Sequence, residues 1–92
     1  MRILVNFQHN DGWFISCLAE DCQTVIGPRL DVASLDTLRR LLRYAGANTE
    51  EMNEFERSIG AWNKGSVWIS NLTDAGAKLL RIRIQNRVQG ME

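Results

Sequence analysis

Hydrophobic and polar positions follow a strand-like pattern at the start of the chain. Residues 2 to 7, RILVNF, and 13 to 18, WFISCL, are rich in strand formers, and the intervening QHNDG ends in an Asp11-Gly12 pair suited to a turn with positive φ. They predict a β-hairpin. A third strand is expected at 23 to 27, QTVIG, after the polar AEDC and stopped by Gly27-Pro28. The first third therefore reads as a three-stranded meander.

From Ser34 the period becomes helical, with Leu35, Leu38, Leu41, Leu42 and Ala45 on one side and Asp36, Arg39, Arg40 and Arg43 between them. Ser34 suits the N-cap and Gly46 the residue past the C-cap. A second helix is expected near Asn48, where Asn48 and Glu51 have capping-box spacing, with Met52, Phe55, Ile59 and Trp62 as its stripe. Glu50, Glu51 and Glu54 fall in its first turns, where the helix dipole favours negative charge.

After NKG come a strand, SVWIS, and a short helix starting at Thr73-Asp74, in which Gly76 costs about 1 kcal/mol relative to alanine. From Leu80 the pattern alternates again, with Leu80, Ile82 and Ile84 opposed to Arg81, Arg83, Gln85 and Arg87. A final strand is expected there, with a continued helix as the competing reading. The order βββααβαβ predicts an α+β fold, a small antiparallel sheet with two to three helices on one face.

With 92 residues the chain suits one domain, residues 1 to 92. Eleven basic residues balance eleven acidic ones, so no global field favours nucleic acid or an anionic membrane, and any electrostatic partner must meet a local patch. The apolar runs are too short to span a bilayer, and MRILVNFQHNDG lacks the apolar middle of a secretory signal, so a cytoplasmic protein without a membrane partner is expected. Cys17 and Cys22 read as free thiols, with a single disulfide as the alternative.

The stretch LTDAGAKLL resembles the ending that follows the wing in MarR-like winged-helix regulators, with Lys64-Gly65 in the place of a wing tip. That resemblance implies DNA binding through a preceding recognition helix. The helix there instead carries Glu50, Glu51, Glu54 and Glu56 against Arg57, and carboxylates repel phosphates. The hairpin with DGWF, its Cys-bearing second strand, the third strand and the following helix resemble the start of HicB-type antitoxin domains. This implies a fold that covers a protein partner.

Candidate chemistry is sparse. A Cys17-His9 pair flanks the hairpin without an orienting third group, and Glu20-Asp21 lies in a polar turn, so no enzymatic activity, cofactor or metal is expected. Binding residues are better represented. Nine of the eleven basic residues are arginines, which bind carboxylates and phosphates bidentately. Arg39, Arg40 and Arg43 share the polar side of the first helix, and Arg81, Arg83 and Arg87 line one face of the expected last strand. Alternation puts Trp13 with Ile15 and Cys17, opposite Phe14, Ser16 and Leu18, and puts Trp68 opposite Val67 and Ile69, so at least one of Trp13 and Trp68 should lie on the less buried sheet face.

These features lead to the expectation of a small protein-binding module, a homodimeric regulator or inhibitor of the kind that mobile elements and phages carry. It would use the exposed tryptophan, the arginines and the edge strand RIRIQ. The alternative is a nucleic-acid-binding regulator with a winged-helix-like C-terminal segment, its arginines on phosphate and its aromatics on bases.

Overall fold

A computed structural model describes residues 1–59 and 64–83. The elements run β1 (Ile3–His9), β2 (Trp13–Leu18), β3 (Leu30–Val32), α1 (Leu35–Tyr44), α2 (Thr49–Ile59), β4 (Lys64–Ile69) and α3 (Asp74–Leu79). The four strands form one antiparallel sheet in the order β3-β2-β1-β4, with the helices on one face. This is the expected α+β architecture.

The hairpin forms as its turn residues dictate. Asp11 and Gly12 take φ of 65° and 126°, and His9 pairs with Trp13 across the loop. The third strand is displaced from its expected place at 23 to 27. There the chain makes a single bridge, Leu18 to Val25, and the regular strand begins only at Leu30. Two features break the pairing, one local and one tertiary: Pro28 has no N–H to donate, and Gly27 is buried so close to the chain after α3 that a Cβ would stand 3.1 Å from the Leu80 carbonyl oxygen.

The helices begin and end as their caps prescribe. Ser34 Oγ accepts the Thr37 N–H at 3.1 Å, while Gly46, at φ 112°, ends α1 with Gly46 N–H donating to Arg43 O and Ala47 N–H to Leu42 O. The Asn48–Glu51 capping box closes both ways, at 2.8 and 3.0 Å. Leu38, Leu42, Met52 and Phe55 then pack onto the sheet face formed by Ile3, Val5, Phe7, Ile15, Cys17, Val67 and Ile69, all buried. Phe7 and Phe55 meet edge to face with centroids 4.8 Å apart. Each large apolar side chain fully buried here is worth about 1.5–3 kcal/mol relative to exposure.

Lys64 and Gly65 lie inside β4, opposite Gln8 and Phe7, and so do not form a wing tip. A Cβ on Gly65 would stand 2.7 Å from Ser58 Cβ and 2.9 Å from the Phe7 ring, so the missing side chain is what lets α2 approach the sheet.

The final strand expected from Leu80 is absent among the described residues, as is a continued helix. Ile82 N–H donates to Ala77 O and Arg81 N–H to Lys78 O, a Schellman ending with Arg81 left-handed at φ 56°. Leu80 and Ile82 are buried and Arg81 and Arg83 exposed, so the alternation is real, but it marks a helix end laid against the loop after β2, where Arg83 N–H reaches Ile26 O at 2.8 Å. Residues 84 to 88, including Arg87, and Trp62 lie outside the described residues.

Candidate functional site: the uncovered face of the sheet

The strand pleat sends alternate side chains away from the helices, and strand register sorts them into three rows. The first runs Trp68, Leu4, Leu18, Val25 across β4, β1, β2 and the bridging segment. The second is Ser66, Asn6, Ser16, with the Ser66 hydroxyl donating to Asn6 Oδ1 at 2.7 Å. The third is Lys64, Gln8, Phe14, Asp31. Leu4, Leu18, Phe14 and Trp68 are half-buried by their neighbours and Val25 is 59% exposed, so the first row is an apolar stripe facing solvent.

Both large rings of this face carry a stacked arginine. Arg2 Cζ lies 3.9 Å from the Trp68 ring centre and Arg29 Cζ 3.8 Å from that of Phe14. Each guanidinium also has a carboxylate nearby, Glu20 at 3.9 Å from Arg2 and Asp31 at 3.4 Å from Arg29. The face is thus apolar along one row, with charges of both signs around it.

Of the residues singled out in the sequence, Trp68 lies on this open face. Trp13 is on the helix side at the hairpin end, half-buried with its ring 6.4 Å from Phe7 and 5.1 Å from His9. Arg39, Arg40 and Arg43 sit on α1, across the sheet from Trp68. Arg39 is held by Glu56 in two hydrogen bonds of 2.6 and 3.1 Å, which push the Glu56 carboxyl below and the Arg39 guanidinium above their usual ranges. Arg40 faces Asp36 at 3.5 Å, and Arg43 is exposed in the last turn of α1. Arg81 and Arg83 flank Ile26-Gly27, which lies across the sheet from β4, about three strand spacings of ~4.8 Å from Trp68. The structure therefore does not gather these residues into one patch.

Arg2, Leu4, Phe14, Leu18 and Arg29 were not singled out. A signal for Leu4, Phe14 and Leu18 does exist, since β1 and β2 carry apolar residues on both alternation faces, which is more than a half-solvated strand needs. The stacking of Arg2 and Arg29 has no local sequence signature.

The remaining candidates separate. Cys17 is buried in the core, where desolvation raises its thiol pKa to about 11, whereas His9 is exposed four residues along the strand pair. The Asp21 carboxylate is occupied by the Thr24 hydroxyl and the N–H groups of Thr24 and Gln23, which hold it below its usual range. Cys17 and Cys22 are free thiols.

The outer edge of β4 is clipped by α2. Ser58 donates to Ser66 O at 3.4 Å, and Glu51 accepts from Ser70 just past the strand. Among the described residues no helix is long and apolar enough to cross a membrane. No known protein family, curated protein or solved structure matches the chain.

Proposed function

We propose that this protein is a non-enzymatic binding module of the cytoplasm, a regulator or inhibitor that engages a protein through the uncovered sheet face. One observation carries this reading: the stripe Trp68–Leu4–Leu18–Val25, four apolar side chains in register across the sheet, on the face away from the described helices. An antiparallel sheet covered by helices on one side normally turns polar side chains to the other, so an aromatic-anchored apolar stripe there, with a polar surround, is what a protein interface offers. The mixed charge of the surround argues for a protein over a polyanion, since Arg2 and Arg29 already face Glu20 and Asp31.

Affinity capture with wild type, Leu18→Asp and Arg40→Glu tests the reading. A specific partner should be lost with Leu18→Asp and kept with Arg40→Glu, which lies on the other side of the sheet. Equal capture by all three would overturn it.

The stacked pairs Arg2–Trp68 and Arg29–Phe14 favour a second reading, single-stranded nucleic acid lying across the sheet with bases on the rings. Arg81 and Arg83 would then contact phosphate beyond the far edge. Binding of a mixed DNA and RNA pool should weaken steeply with salt and be abolished by Arg81→Glu with Arg83→Glu. Salt-independent or absent binding rejects this reading.

A further inference from the structure

Building on the reading that the uncovered face binds protein, we propose that its partner is a second copy of this chain. The two copies pack face to face about a two-fold axis running along the strands, between β1 and β2. Such an axis exchanges β1 with β2 and β4 with the opposite edge while keeping each row on itself.

The rows then meet their complements. In the first row Leu4 of one copy meets Leu18 of the other, and Trp68 meets Val25, so the apolar stripe covers itself. In the second row Asn6 meets Ser16, polar on polar. In the third, Gln8 meets Phe14, and Lys64 at one end meets Asp31 at the other. Just beyond this row Arg2 and Glu20, 3.9 Å apart within one copy, place a further pair of opposite charges at the rim of the contact. Lys64 and Asp31, opposite in charge, thus stand at positions the axis interchanges. A self-complementary contact requires that relation, whereas a different partner would impose no link between the two halves of the face.

The size of the face sets the strength. Four strand positions at about 4.8 Å and five residues at about 3.3 Å, with side-chain margins, give a footprint of roughly 20 × 20 Å. That is about 400 Å² per copy before surface relief, well below the roughly 800 Å² of a standard interface, so the dimer is weak and concentration-dependent. Sheet twist sets the two layers about 30° apart and keeps the register best near the axis, where Leu4 and Leu18 lie.

Sedimentation equilibrium at low salt, from about 10 μM to about 1 mM, reads the result in the range expected for a small interface. Wild type should pass from monomer to dimer, and Leu18→Asp should stay monomeric. Lys64→Glu and Asp31→Lys, each with a like-charge contact at both ends of the interface, should each weaken the dimer about tenfold or more. Mixing those two variants in equal amounts should restore wild-type association, because both charge contacts of the mixed dimer are again opposite in sign. Failure of the mixture to recover, or a wild type monomeric throughout, overturns the second-copy proposal. If wild type is monomeric yet Leu18→Asp loses a different protein in capture, the face still binds protein and only its partner was misassigned. If Leu18→Asp alters neither, both readings fall.

Discussion

The Glu51 carboxylate holds Ser70 twice, accepting its backbone N–H at 2.9 Å and its hydroxyl at 2.6 Å, and so ties the start of α2 to the end of β4 across nineteen residues of sequence. The same side chain closes the capping box on Asn48 N–H. Partial burial works to raise its pKa, but the hydrogen bonds from Ser70 and Asn48 and the charge of Arg2 outweigh it and hold the carboxyl below its usual value.

A depressed folded-state pKa makes this contribution fully present above the unfolded value, about 4.3, and lost as pH falls through the folded value. Glu56, lowered by Arg39, adds in the same direction. Stability measured by urea unfolding should therefore hold steady above about pH 5 and decline below about pH 4. Glu51→Gln should cost about 1–2 kcal/mol at neutral pH, and its deficit should shrink in acid, where the wild-type carboxylate is itself protonated. A deficit independent of pH would show that the charge is not what matters at this junction.

Gly76 lies in the middle of α3, where alanine would ordinarily add about 1 kcal/mol of helix stability. In this fold a Cβ at Gly76 would stand 2.5 Å from Ala45 Cα and 2.9 Å from Ala45 Cβ. The clash outweighs the propensity, because α1 and α3 must separate to admit it. Gly76→Ala should destabilise by about 1–3 kcal/mol in denaturant titration. A stabilised variant would mean that the two helices are less closely apposed.

Arg81 occupies the left-handed position that ends α3, which costs a side-chain-bearing residue about 1 kcal/mol or more. Arg81→Gly should raise the melting temperature by a few degrees, at roughly 4–8 °C per kcal/mol for a domain of this size. Gly46→Ala should lower it, since Gly46 takes φ 112° and its side-chain space is filled by the Asn71 carbonyl. Opposite shifts at two equivalent helix ends are the signature to look for by thermal melting.

Cys17 and Cys22 should differ in reactivity. Burial raises the Cys17 thiol to about 11, so it offers little thiolate at neutral pH, while Cys22 lies exposed in the turn after β2. Thiol titration of the native protein should count one fast group, lost in Cys22→Ser, and two after denaturation. Two fast groups in the native state would mean that the sheet opens around Cys17.

Much of this architecture was written locally. Asp11-Gly12 specifies the hairpin turn, Ser34, Asn48 with Glu51, and Thr73 start the three helices, and Gly46 ends the first, because each acts through its own backbone angles or through hydrogen bonds spanning no more than five positions. Alternation likewise sorted the side chains of β2 and β4 into two faces, since a strand's side chains change sides at every residue, and packing against the helices decided which face is inward. Strand order, and what stands beside each strand, were not contained in those periods. The approach of the Leu80 carbonyl to Gly27 breaks the third strand, the Schellman bonds turn the expected last strand into a helix end at Arg81, and Glu56 claims Arg39 from the arginine cluster. Only the register of the assembled sheet aligned Trp68, Leu4, Leu18 and Val25, which come from distant parts of the chain, into one stripe. A period of two tells a residue which side of its own strand it is on, but not which strands, or which arginines, will be its neighbours.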